Sequence, residues 1–144
     1  MKLSSYARNL EAHDDGIWYS KTAEPVSYPE KGNSLCFLVE DNSFWFRHRN
    51  NCIKSLVRQF KRPGLFLDIG GGNGFVSRAL QEDGVDVVLV EPGIAGVLNA
   101  KERGVKNLVC ATLDSAGFSE DAVAGVGLFD VLEHIEDDLS LIHI

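Results

Sequence analysis

The residues that could do chemistry fall in a glycine turn, a carboxylate some distance beyond it, and an adjacent carboxylate–imidazole pair. Residues 68–74 read Asp68-Ile69-Gly70-Gly71-Gly72-Asn73-Gly74. Gly70, Gly72 and Gly74 let the backbone turn sharply and let a ligand approach where any Cβ would collide. Glu91 follows Gly70 by 21 residues, the offset at which an acid can accept both hydroxyls of a bound ribose. Two charged oxygens matched to a vicinal diol bond more strongly than neutral pairs do. Glu133 and His134 stand side by side near the end of the chain. Histidine titrates near neutral pH and suits the part of general base for a hydroxyl, although the pair would equally serve to orient a loop or open a helix.

These residues need a scaffold, and the flanking sequence provides one. Leu65, Phe66, Leu67 and Ile69 form an apolar run bounded by Pro63-Gly64 and the glycine turn, the pattern of a strand buried on both faces with Asp68 near its carboxyl end. Phe75, Val76, Ala79 and Leu80 then fit a helix. Strand, glycine turn and helix in that order build a nucleotide-type site at the carboxyl edge of a parallel sheet. Asp86 to Pro92 reads as a second buried strand ending in the carboxylate of Glu91, and a helix follows from Ile94 to Arg103. Lys106 to Cys110 gives a third strand and Ala124 to Asp130 a fourth.

Upstream, Ile53, Leu56, Val57 and Phe60 recur at helical spacing after Phe44-Trp45-Phe46, with Asp41, Asn42 or Ser43 as N-cap and Pro63-Gly64 as the stop. Residues 1–34 are polar and broken by Gly16, Pro25, Pro29 and Gly32. A short helix near Leu3 to Leu10 is expected there, then an irregular arm whose Ile17, Trp18, Tyr19 and Tyr28 either pack onto the domain or line a substrate entrance. The chain thus divides into an N-terminal extension with its helix, residues 1–62, and a cofactor-site domain, residues 63–144.

Hydrophobic residues make up 44% of the chain and charged residues 24%, a globular balance in 144 residues, enough for one core. The net charge of −7 is uneven, with ten Lys/Arg against seven Asp/Glu up to Arg62 and four against fourteen after it. The acidic second part disfavours nucleic acid as a partner. The basic cluster Arg47, Arg49, Lys54, Arg58, Lys61 and Arg62 reads as a solvated helix face or as a surface for an acidic substrate. No apolar run approaches the ~18 residues of a membrane span, and the N-terminus lacks a secretory pattern. Cys36, Cys52 and Cys110 are odd in number and widely spaced, so neither a metal site nor a disulfide framework is expected, and the setting is read as cytoplasmic.

In combination the motifs resemble those of the class I S-adenosylmethionine-dependent methyltransferases. The D-x-G-x-G-x-G run from Asp68 to Gly74 resembles the first motif of that family. Leu113-Asp114-Ser115-Ala116-Gly117-Phe118 resembles the third. Phe129-Asp130-Val131-Leu132-Glu133-His134-Ile135 is similar to the fourth motif of its small-molecule members, such as the ubiquinone-pathway O-methyltransferases. The resemblance implies an α/β fold with a Rossmann-like, doubly wound parallel sheet in strand order 3-2-1-4-5-7-6. Only the part 3-2-1-4 is present here, so the chain is expected to be an N-terminal fragment truncated after the fourth strand, with its last residues, Leu139 to Ile144, foreign to the fold.

The resemblance also implies S-adenosyl-L-methionine as cofactor. Asp68 with the Gly70, Gly72 and Gly74 backbone would hold its methionine portion, Glu91 its ribose, and Leu113 and Asp114 its adenine. Asp130 would lie close by, with Glu133 and His134 as the catalytic pair. Methyl transfer to the oxygen or carbon of a small-molecule acceptor is the implied reaction, because Asp130-Val131-Leu132-Glu133 stands where amide and base N-methyltransferases carry Asn/Asp-Pro-Pro-Tyr/Phe. Two other readings are a non-catalytic domain that binds the same cofactor and a nicotinamide-dependent oxidoreductase. Phe75 opposes the latter, since a dinucleotide fingerprint needs glycine there.

Overall fold

The structure, a computed structural model, describes residues 3–22, 36–60, 62–119 and 122–135. In chain order these form strands β1 (Leu10–Ala12) and β2 (Ile17–Ser20), a helical segment α1 (36–40), and helix α2 (Phe44–Phe60). Strand β3 (Phe66–Ile69), helix α3 (Phe75–Glu82), strand β4 (Val87–Val90) and helix α4 (Ile94–Glu102) follow. Strand β5 (Leu108–Cys110), the short helix α5 (Leu113–Ala116), strand β6 (Gly125–Leu128) and a 3-10 turn (Leu132–His134) complete the set.

The sheet runs β1-β2-β5-β4-β3-β6, and every pairing is parallel except β1 with β2. Its central part, β5-β4-β3-β6, is the 3-2-1-4 order expected from the motifs, in a Rossmann-like α/β arrangement. Asp68 pairs with Leu89 and Ile69 with Val90, so the ends of β3 and β4 that carry the glycine turn and Glu91 finish level. Val87 to Val90 are each at most 1% exposed, as expected of a strand covered on both faces.

Side chains alternate along a strand, and this alternation decides which layer each residue meets. Leu67, Ile69, Val88, Val90 and Val109 turn to the layer that contains Leu3, Ala7, Leu10 and Ala116. Leu89 and Leu108 pack against Val97 and Ala100 of α4, while Val87 packs with Val76 and Leu80 of α3 and Ile53 of α2. Asp68, between Leu67 and Ile69, consequently faces the α3 side.

The N-terminal segment differs from expectation. The helix foreseen near Leu3 to Leu10 is a single 3-10 turn, Leu3–Ser5. The arm foreseen as irregular contains a hairpin whose second strand joins the sheet, Ile17 opposite Leu108 and Tyr19 opposite Cys110. Gly16 takes a φ of 80°, and the Ile17 amide donates to Asp15 Oδ1 at 2.9 Å, which sets the turn. Ile, Trp and Tyr favour a pleated, half-buried surface, and β5 would otherwise present an open edge. Ile17 is fully buried as a result. Tyr28 lies outside the described residues, as does the end of the chain from residue 136.

Helix α2 starts at Phe44, so the Phe44-Trp45-Phe46 run forms its first turn. Of its expected apolar stripe, Ile53 and Val57 meet the domain, whereas Leu56 and Phe60 are 58% and 71% exposed. Asn50 is buried with them and donates to the Phe75 carbonyl at 2.9 Å, tying α2 to the start of α3.

Candidate functional site

The glycine turn adopts a backbone that few other residues could hold. Gly70, Gly72 and Gly74 all have positive φ, at 65°, 50° and 73°. A Cβ on Gly74 would stand 2.6 Å from Ala100 Cβ, and one on Gly70 would stand 2.6 Å from Val131 Cγ2. The first contact seats the turn on α4; the second brings it against the segment that follows β6.

Asp68 lies beneath this turn. It is 1% exposed, and its Oδ2 accepts from Ser77 Oγ at 2.6 Å, linking the end of β3 to the first turn of α3. Burial lifts its pKa from 3.8 to about 6, against the lowering effects of the Ser77 hydroxyl and the Arg49 charge. Its carboxylate therefore supports the turn from within.

Glu91 faces the turn from the neighbouring strand. Its Oε2 accepts from the Gly72 amide at 3.0 Å and its Oε1 from the Gly93 amide at 2.7 Å. One carboxylate thus spans from the glycine turn to the start of α4. Burial raises its pKa, and the two backbone amides act the other way. Each oxygen keeps a further lone pair for a ligand hydroxyl.

Leu113 and Asp114 open α5. Thr112 caps this helix reciprocally with Ser115, and Gly117 ends it at a φ of 63°. Asp114 is exposed and Leu113 partly buried. The N-terminal hairpin holds α5 in place: Asn9 Nδ2 and Ser20 Oγ donate to the Ser115 carbonyl at 2.7 and 2.9 Å.

Beyond β6, Asp130 is the one described non-glycine residue with positive φ, 58°, and its carboxylate meets Arg49 of α2 at 2.5 Å. Glu133 and His134 sit on the following 3-10 turn, both exposed. Gly70, Gly72, Glu91 and the Asp130–His134 segment are thus gathered at the carboxyl edge of β3, β4 and β6.

The basic cluster of the sequence disperses. Arg49 goes to Asp130 and Arg58 to Asp83, while Arg47 and Lys54 line a 460 Å³ groove between α2 and α3. Lys61 lies outside the described residues.

Sequence reasoning missed a second polar group behind the turn. Arg103 Nη1 donates to the Asn73 carbonyl at 2.9 Å and to Glu40 Oε2 at 2.8 Å. Asn99 Nδ2 donates to Asn73 Oδ1 at 2.9 Å. The only hint in sequence is that one side chain, Asn73, interrupts an otherwise all-glycine turn from Gly70 to Gly74.

Comparison with known proteins agrees with this architecture. A family model described as a methyltransferase domain matches residues 44–143. Ribosomal protein L11 methyltransferase of Campylobacter hominis is 26% identical, over 72% of this chain and 36% of its own length. Among solved structures, the plantazolicin methyltransferase BpumL in complex with SAH superposes with a TM-score of 0.59 at 17% identity, covering 81% of this chain and 48% of its own. The same enzyme with a monoazolic desmethylPZN analog and SAH gives 0.57 at 16%, covering 78% and 46%. The chain therefore spans less than half the length of these relatives. With the strand–glycine turn–helix unit, the level ends of β3 and β4 and the matched family model, the chain belongs to the methyltransferase-domain family.

Proposed function

We propose that this chain forms the cofactor-binding part of an enzyme that moves a methyl group from S-adenosylmethionine to an oxygen or carbon of a small-molecule acceptor. The observation that carries the reading is the Glu91 carboxylate held 3.0 Å from the Gly72 amide, at the mouth of a turn made of positive-φ glycines. An acid so fixed suits a ribose diol, and a turn without side chains at Gly70, Gly72 and Gly74 suits a ligand that must come close to backbone. The residues present fit the cofactor.

S-adenosylmethionine supplies a methyl group on a sulfonium, which is already a good leaving group. What is left to the protein is alignment and the exclusion of water. In this reading Glu91 accepts from the ribose hydroxyls, while Leu113 and Asp114 meet the adenine. The Gly70, Gly72 and Gly74 backbone borders the methionine portion, with Asp68 acting through the turn it supports. Asp130 and Arg49 fix the segment after β6, and from that segment Glu133 or His134 takes the proton of the acceptor hydroxyl. Both are open to solvent, as groups awaiting an acceptor would be. The three cysteines are free thiols, which fits a cytoplasmic setting; among the described residues no helix is long and apolar enough to cross a membrane.

Titration calorimetry of the 144-residue chain with S-adenosylhomocysteine, beside a circular-dichroism melt, tests the reading. Saturable binding with a raised Tm is expected. A chain that melts cooperatively yet binds neither S-adenosylhomocysteine nor adenosine would overturn it.

A further inference from the structure

A turn with three glycines at positive φ is intrinsically free, so a ligand that needs it in one shape benefits when the rest of the protein fixes that shape in advance. Glu91 fixes one side through the Gly72 amide. The other side is held through Asn73, which is 4% exposed although it belongs to a loop. Side chains of two elements, α4 and α1, converge on it. Arg103, at the end of α4, donates to its carbonyl at 2.9 Å, and Asn99 of α4 donates to its Oδ1 at 2.9 Å. From α1, Glu40 Oε2 accepts from Asn73 Nδ2 at 3.4 Å and from Arg103 Nη1 at 2.8 Å.

The Arg103 guanidinium is confined further, with Phe37 and Phe75 ring centroids 4.7 and 5.1 Å from its central carbon. The side chains of Arg103 and Glu40 are 7% and 11% exposed, so the pair is desolvated. A buried ion pair is weak evidence of stabilisation, since apolar residues of similar volume often do as well. What this pair does that apolar side chains could not is hold the Asn73 carbonyl and amide in register.

We propose that Glu40 and Arg103 are positioning residues for the cofactor. By clamping Asn73 they preset the backbone of the glycine turn for the amino-acid end of S-adenosylmethionine. The inference rests on the cofactor reading above and extends it to α1, which makes no contact with Glu91 or Asp114 in the described hydrogen bonds. It separates two ligands. S-adenosylhomocysteine engages the turn, whereas adenosine, which lacks the amino-acid end, relies on the Glu91 and Asp114 side.

The test uses the 144-residue chain and its Glu40→Gln variant. A second variant, Glu40→Gln with Arg103→Gln, leaves no buried charge without a partner and guards against failure to fold. Calorimetry is expected to show S-adenosylhomocysteine bound about tenfold more weakly by either variant, with adenosine affinity held within about twofold. Amide exchange of the ligand-free chain is expected to quicken at Gly72 and Gly74 while Leu89, which donates to the Asn107 carbonyl within the sheet, keeps its protection. Equal weakening of both ligands, or faster exchange at Leu89 as well, would reduce the cluster to general stability and overturn the proposal. Unchanged exchange at Gly72 and Gly74 would overturn the clamp itself. Absence of binding of either ligand by the unaltered chain would instead remove the cofactor reading, with the exchange data still judging the clamp.

Discussion

The Arg49 guanidinium and the Asp130 carboxylate meet at 2.5 Å, joining the middle of α2 to the turn after β6. Arg49 is 18% exposed at its side chain and Asp130 65%, so the pair sits at the rim of the site. Asp130 also holds a φ of 58°, which costs a residue with a Cβ about 1 kcal/mol relative to glycine. Asp130→Gly is therefore expected to be more stable than Asp130→Ala by about 1 kcal/mol, both having lost the ion pair. Urea melts of the two variants measure the difference; equal midpoints and slopes would count against strain at this position.

The two parts proposed for Glu91, bracing the turn and accepting from the ribose, separate by substitution. Glu91→Ala leaves the Gly72 and Gly93 amides without their acceptor, which is expected to cost about 1–3 kcal/mol of stability. Glu91→Gln keeps one oxygen and most of the shape. It is expected to lower Tm less than Glu91→Ala while weakening S-adenosylhomocysteine binding about tenfold or more. Full affinity in Glu91→Gln would remove this residue from the ribose site.

The raised pKa of Asp68, about 6 against 3.8, carries a signed consequence for pH. Between those values the folded chain binds more protons at this site than the unfolded chain does, so stability falls as pH rises through the window and levels off above it. Asp68→Asn removes that contribution. Melts from pH 4 to pH 7 are expected to show the variant gaining on the natural chain up to about pH 6 and running parallel beyond it. A constant offset across the range would contradict the raised value.

Gly74 and Gly84 share a positive φ, 73° and 75°, but not their surroundings. A Cβ at Gly84 meets nothing within 4 Å, whereas one at Gly74 meets Ala100 Cβ at 2.6 Å and its Cα at 3.1 Å. Gly84→Ala is expected to cost about 1 kcal/mol from backbone conformation alone. Gly74→Ala adds overpacking of about 1–3 kcal/mol, so it should be much the more destabilised. Equilibrium unfolding of the two variants provides the comparison.

Much of the central fold was legible because its signals are local. The apolar run from Leu65 to Ile69, closed by Pro63-Gly64 and by glycines, admits little besides a buried strand and a sharp turn. The same holds for Val87 to Val90 with Glu91 behind them. The N-terminal hairpin was not legible, because Ile17 becomes a strand by pairing with Leu108, far along the chain. Arg49 gave no sign of Asp130 for the same reason. Helical period locates α2 but cannot say which stripe is buried: Leu56 and Phe60 share the period of Ile53 yet stay largely exposed. Around the site, Gly70, Gly72 and Glu91 could be read from spacing. The clamp on Asn73 could not, since Glu40, Asn99 and Arg103 converge only once α1 and α4 are packed.

The position of β2 also bears on how the chain comes to be folded as it is made. β2 pairs on one side with β1, which directly precedes it, and on the other with β5, which follows much later. At about 5–20 residues per second, translation leaves the hairpin waiting on the order of ten seconds for Leu108 to emerge. A two-stranded hairpin is marginal by itself in water. Over that interval Ile17, which ends fully buried, has no core to enter, and a chaperone or a second nascent chain can reach it. β2 is made early and seated late.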